Sequence, residues 1–308
     1  MQPGRAAPPR PSASRGPSAG ARDGSWGWAL AVPATAAMLL VTVLPMLKAL
    51  WLSLFSYRLT NPGAREFVGL RNYAVVLADP LWWQDVRTTV LVTAVTVSVE
   101  LVVGMALALA MHRIPFARRT VRTSILVPYG IVSVVSAFAW RFAFSSETGF
   151  VNGWLGVGDF AWFGHRWSAL AVLCASEIWK TTPFMALLLL AGLAQVPEEL
   201  GEAARMDGAT AWQRLWRVTL PAMKPAIVVA LLFRTLDAYR VFDGVYVMTA
   251  GAQRTESVSF LAYRQVIVRT ALGLGAAVSI LLFLSVLLLA AAIVKASGVE
   301  FTGARGER

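Results

Sequence analysis

The chain has 308 residues, 57% of them hydrophobic and only 15% charged, with a formal net charge of +11 and a mean hydropathy of +0.60. Soluble globular chains are about 45–50% apolar and about 25% charged, so this balance excludes an ordinary soluble domain and points to several membrane spans, where charge is confined to loops, cavities or pairs. The basic residues fall mostly in short gaps between apolar runs, which is a topology signal and argues against a nucleic-acid partner.

Residues 1–25 are rich in Pro, Ser, Gly, Ala and Arg. They cannot bury enough apolar area to offset the entropy of ordering, so a disordered cytoplasmic N-tail is expected. The first apolar run begins too late and is too long for a signal peptide. From 26 to 298 six apolar segments follow, at 27–56, 87–111, 123–144, 168–194, 225–249 and 271–295. Each is near the ~20 residues a helix needs to cross the hydrocarbon core. Trp26, Trp28, Trp51, Trp82, Trp83, Trp140 and Trp167 sit near segment ends, where aromatic rings favour the interface. The expected fold is all-α and polytopic, with a cytoplasmic C-tail at 299–308.

Lys and Arg set the expected orientation. The N-tail, the 112–122 loop, the 195–224 loop and the chain from Lys295 onward hold fifteen, against eight in 57–87, 145–167 and 250–270. The richer side is cytoplasmic, which places both termini inside. The 112–122 loop is the strongest single signal, with Arg113, Arg118, Arg119 and Arg122 and no acid. Cys174 is the sole cysteine and lies in an apolar run, so it reads as a buried structural thiol without a disulfide partner. His112 and His165 fall in different loops and offer no metal-ligand cluster.

The loop from 196 to 225 has a distinct build. Pro197 followed by Glu198 and Glu199 is a helix start with acids at the positive end of the dipole. Gly208 breaks that helix after about two turns. Ala211 to Val218 resumes it, and Leu220, Pro221 and Pro225 close it before the next span. Ala203, Ala204, Gly208 and Ala209 allow another surface to approach closely, while Leu215, Trp216, Val218 and Leu220 offer an apolar face. Physics alone leaves two readings open: a docking element, or an amphipathic helix resting on lipid.

The series Glu202-Ala203-Ala204, Asp207-Gly208-Ala209 and Leu220-Pro221 resembles the EAA loop of ABC importer permeases. The similarity continues in Leu126–Val132, Trp179–Met185 and Phe233–Asp243, which resemble spans three, four and five of carbohydrate-uptake permeases of the maltose/trehalose type. First permease subunits of actinobacterial trehalose importers are the most similar. One departure is Leu215-Trp216, where the family often has a Phe. The resemblance implies a type I ABC importer permease fold in a bacterial plasma membrane. It also implies a second homologous permease, two ATPase subunits or domains, and an extracytoplasmic sugar-binding protein or lipoprotein. The EAA loop then transmits ATPase closure to the helices. Lys48, Lys180, Lys224 and Lys295 are the only lysines and none follows a glycine. A phosphate-cradling Gly-Lys-Ser/Thr is therefore absent, and ATP with its Mg is expected on the partner ATPases. This chain itself is expected to be a transport subunit with no cofactor and no catalytic residues.

Eight ionisable residues fall inside the apolar segments: Glu100, Arg141, Glu177, Lys180, Arg234, Asp237, Arg240 and Asp243. At membrane depth such groups face a cavity or a partner. Arg234, Asp237 and Arg240 step by three, so on a helix they lie within an arc of about 120° and could form a ladder of pairs. Glu177 and Thr181 share a face with Lys180 beside them, and Pro183 loosens the helix beyond. A polar cavity for sugar hydroxyls and a structural salt-bridge network both fit. Glu100 is expected to pair with a neighbouring helix, and Arg141, next to Trp140, to anchor at the outer interface. The resemblance to maltose permeases implies a substrate path through Tyr129 and Ser133, then Glu177, Lys180 and Thr181, then Arg234 and Ala238. Asp237 and Arg240 join it on spacing. Charged groups stand where the maltose type has neutral ones, so the preferred sugar is expected to differ. Trehalose fits best, with an ion-coupled sugar transporter acting alone, or a membrane scaffold or sensor, as the competing classes.

Overall fold

The computed structural model describes residues 23–61, 63–113 and 118–298. The two tails, at 1–22 and 299–308, and residues 114–117 of the basic loop lie outside the described residues, so the expected disorder of the N-tail falls there too. Contacts divide the chain into Met1–Lys48 and Ala49–Arg308. In the first unit, the described residues belong to helix α1 (Asp23–Ser53), which runs through Pro33 and Pro45. It starts before the expected boundary at residue 26. It also stops at Ser53 rather than 56, because β1 (Phe55–Ser56) leaves to pair antiparallel with β2 (Glu66–Phe67).

The second unit is helical apart from that hairpin. Helix α2 (Arg71–Ala78) packs beneath the hairpin, where Asn72 Nδ2 donates to the carbonyls of Ser53 and Phe55 at 2.7 and 2.9 Å. Helix α3 (Pro80–Arg113) begins seven residues before the apolar segment at 87. Pro80 supplies a preformed first turn, and Asp79 Oδ1 accepts from the Leu81 amide at 2.9 Å. It also carries His112, which is helical rather than in a loop. The third apolar segment is two helices, α4 (Arg118–Gly130) and α5 (Ser133–Ala143), bent by 88°. Pro128 and Gly130 end the first, and Val132 adopts an extended ψ of 131° before the second begins. The short α6 (Val151–Leu155) follows.

Helix α7 (Arg166–Leu193) is the central element and matches the fourth predicted segment. It continues through Pro183, where the Thr181 and Thr182 hydroxyls donate to the carbonyls of Glu177 and Ile178, both at 2.6 Å. Its pairing with α3 is the most extensive in the fold. Buried Val97, Ala108, Met111, Met185, Ala186, Leu189 and Leu193 form the main core between them, joined by Met223 and Ala230. Cys174 belongs to a second cluster with Val92, Leu173, Val241 and Phe260 and is a free buried thiol.

Helices α8 (Glu198–Met206), α9 (Ala211–Arg214) and α10 (Leu220–Ala222) make up the loop before α11 (Lys224–Ala238). The fifth span is thus shorter than the predicted 225–249. The chain leaves the helix after Ala238 and resumes as a π-helical turn at Val245–Thr249. The Val241 carbonyl freed by this break accepts from Ser257 Oγ at 2.8 Å. Helix α12 (Val258–Tyr263) and α13 (Leu272–Ser297) complete the chain. Among the described residues four helices are long and apolar enough to cross a membrane, or up to six spans if each of two bent pairs counts as one. The second such pair is Ala211–Ala222 with Lys224–Ala238, bent by 71°.

Candidate functional site

Two broken helices face the unbroken α7 across a cavity of about 610 Å³. The α4–α5 break contributes Tyr129, Ile131, Val132 and Ser133. Helix α7 contributes Glu177, Lys180 and Thr181. The end of α11 and the segment after it contribute Asp237, Ala238, Arg240, Val241, Phe242 and Asp243. Irregular backbone at membrane depth is tolerated where it lines a cavity, and both breaks do so here.

Of the eight residues assigned to the path, seven line this cavity. Lys180 Nζ donates to Ser133 Oγ, tying α7 to the start of α5. The hydroxyl proton of Ser133 is then free to point into the cavity. Tyr129 stacks on Phe184 with ring centroids 5.1 Å apart and planes 8° from parallel, so one face of its ring is already covered. Glu177 reaches toward Gly244, where an added Cβ would lie 3.2 Å from Oε1. Asp237 is well exposed on the cavity wall. Arg240 follows the end of α11, so the three-residue ladder stops at Asp237.

Arg234 is placed differently. It is 1% exposed and lies behind the wall. Its Nε and Nη2 donate to Glu100 Oε2 and Oε1 at 2.6 and 2.9 Å, Nη2 donates to Thr181 Oγ1 at 2.9 Å, and Nη1 pairs with Asp237 Oδ2. Glu100 on α3 therefore has its partner helix in α11, as its position among apolar residues suggested. Thr181 Oγ1 also lies 2.7 Å from Glu100 Oε1, so this buried knot joins three spans. Arg141, expected to anchor at the outer interface, is exposed, and its Nη1 donates to the Val247 carbonyl at 2.7 Å, linking α5 to the π-helical turn.

The 196–225 loop folds as a helix–turn–helix. Pro197 precedes α8 with Glu198 and Glu199 in the first turn. Gly208 takes φ +77, which L side chains rarely adopt, and so makes the turn. Thr210 then caps α9 with a reciprocal bond: Gln213 N donates to Thr210 Oγ1 and Thr210 N to Gln213 Oε1. The Thr-x-x-Gln spacing was the readable signal for that start. Glu202, Ala203, Asp207, Gly208 and Pro221 are exposed, while Ala204, Ala209 and Leu220 are half-buried. Leu215 and Val218 turn inward with Leu220, but Trp216 turns outward and meets exposed Trp212 at 5.5 Å between ring centroids. Behind the loop runs a groove of about 320 Å³ lined by Leu109, His112, Glu198, Glu202, Arg205 and Arg214 among others. No group of three or more potential metal ligands occurs among the described residues.

Residues 100–297 match the family described as binding-protein-dependent transport system inner membrane component. The chain belongs to this family of ABC importer permeases. The match spans the cavity, the buried knot and the helix–turn–helix together. The permease is 47% identical over 274 residues to the trehalose transport system permease protein SugA of Mycobacterium tuberculosis, covering 89% of each chain. It is 38% identical over 272 residues to the trehalose/maltose transport system permease protein MalF of Thermococcus litoralis, covering 86% of this chain and 91% of the other. In structure it resembles a chain of a bacterial ABC transporter that imports the acidic polysaccharide alginate. The TM-score is 0.77 at 21% identity, over 90% of this permease and 96% of that chain. That likeness concerns the fold, the type I importer permease arrangement.

Proposed function

We propose that this permease forms half of the translocation path of an ATP-driven importer for a disaccharide or oligosaccharide, with trehalose the favoured cargo. The relationship to a trehalose permease over nearly the whole chain carries the reading. The cavity supports it. Its volume lies within the roughly 300–1,000 Å³ of small-molecule sites. Tyr129 and Ser133 offer hydroxyls, Lys180 and Arg240 donate, and Glu177, Asp237 and Asp243 accept. Three carboxylates against two cations suit a neutral polyhydroxyl cargo better than an acidic sugar.

The remaining path comes from a second homologous permease, and energy from two ATPase subunits or domains that bind ATP and Mg. An extracytoplasmic sugar-binding protein delivers the cargo. The exposed face of α8 and its Gly208 turn, from Glu202 to Ala209, is the ATPase contact. With the basic loops on the same side, both termini are cytoplasmic. Uptake of labelled trehalose, in competition with maltose, in cells with and without this chain tests the proposal. Loss of ATP-dependent trehalose uptake on deletion is expected. Transport by the purified chain alone, driven by an ion gradient and indifferent to ATP, would overturn it in favour of a secondary transporter.

A further inference from the structure

We infer that Glu100, through Arg234, is a positioning residue that sets the selectivity of the cavity, an inference that rests on the sugar-path reading above. Glu100 is 0% exposed and cannot touch a cargo. Its carboxylate is gripped by both edges of the Arg234 guanidinium. Four of the five N–H groups of Arg234 are committed: Nε and one on Nη2 to Glu100, one on Nη2 to Thr181, one on Nη1 to Asp237. The planar fork has no freedom left to turn.

Both remaining arms end on the cavity wall. Asp237 is held by Oδ2, so its second oxygen is presented to the cavity in one orientation. Thr181 accepts from Arg234, and its single proton goes to Glu100 Oε1 or the Glu177 carbonyl, at 2.7 and 2.6 Å. The Thr181 hydroxyl is thereby spent within the protein. The wall's donors to a cargo are then Lys180, Arg240, Ser133 and Tyr129, and its acceptors Glu177, Asp237 and Asp243. Removing the charge of Glu100 leaves Arg234 to redistribute its donors onto Asp237 and Thr181. That reorients an acceptor in the cavity without any change to a residue lining it.

The test uses the complete importer reconstituted in proteoliposomes, with uptake of labelled trehalose and maltose normalised to assembled complex. Glu100→Gln is compared with Leu189→Ala, a core variant of α7. Glu100→Gln is expected to lower trehalose uptake by about tenfold and to change the trehalose-to-maltose ratio by about threefold or more. Leu189→Ala is expected to lower both sugars in equal proportion. Glu100→Asp, which keeps the charge, should recover part of the ratio. Because Glu100 acts through Arg234 on Asp237, Glu100→Gln and Asp237→Asn should be non-additive on the ratio. An unchanged ratio in Glu100→Gln, or additivity with Asp237→Asn, overturns the proposal and leaves the pair a structural staple. Where Glu100→Gln does not assemble, Arg234→Lys takes its place in the same comparison, since it keeps the charge and loses the fork. If wild-type importer hydrolyses ATP and moves neither sugar, the sugar reading fails instead.

Discussion

Arg234 holds Glu100 through two parallel bonds of 2.6 and 2.9 Å, with the two side chains 1% and 0% exposed and 134 residues apart in sequence. The pair ties α11 to α3 at the back of the cavity. Removing one partner strands a charge where no water reaches it. Glu100→Ala or Arg234→Ala should each destabilise the permease by about 3–5 kcal/mol, while the double replacement Glu100→Leu with Arg234→Met should cost less than either. Thermal melts of the assembled complex check this ordering.

Gly244 lies directly beside the Glu177 carboxylate. Glu177→Gln should reduce trehalose uptake about tenfold by removing a charged acceptor, with normal assembly. Gly244→Ala should act in the same direction, because its Cβ would arrive 3.2 Å from the Glu177 carboxylate. Uptake kinetics at matched complex levels decide it, and wild-type kinetics in both variants would remove Glu177 from the path.

The Gly208 turn separates two helices of the proposed ATPase contact. Gly208→Ala should cost about 1 kcal/mol, since φ +77 is unfavourable for an L side chain. Gly208→Pro should do more, because proline cannot take that φ at all. Glu202→Lys inverts an exposed charge on α8. Co-purification of ATPase with tagged permease should fall in Glu202→Lys and Gly208→Pro, and unchanged recovery with normal transport would disprove the contact.

Glu256 lies between the spans. Burial pushes its carboxyl above the ordinary 4.5, and Arg264, bonded at 2.8 Å, together with Arg269 only partly offsets this. A carboxyl raised on folding favours the folded state fully below its unfolded value, and the contribution is lost as pH rises through the folded value. Melting temperature of the purified complex should therefore decline from about pH 4.5 upward, and Glu256→Gln should flatten that slope. An identical slope in the variant would exclude Glu256 as the cause.

Much of the fold was legible because lipid allows so few solutions. Segments four and six match α7 and α13 to within two residues, since ~20 apolar residues in a row must be helical in a bilayer. The start and the turn of the helix–turn–helix were equally legible, because Pro197 and Gly208 punctuate it by local sterics alone, whereas Pro221 and Pro225, expected to close it, lie within the first turns of α10 and α11 and the 71° bend falls between those helices. The breaks were not. Between Ala238 and Asp243 no proline or glycine interrupts the apolar run, so 225–249 read as one helix. The interruption is matched by Ser257, sixteen residues further on, whose hydroxyl donates to the freed Val241 carbonyl.

Sequence alone therefore determined the class of the protein, the order of its apolar segments and the residue types in the candidate path. Those follow from hydropathy, local turn chemistry and family motif. Tertiary structure alone decided which charges meet. Arg234 was spaced for Asp237 and Arg240 along one helix, yet its principal partner is Glu100, three spans away. A bidentate pair forms where two helices pack closely enough to exclude water, and the distance across that packing is written in no single segment.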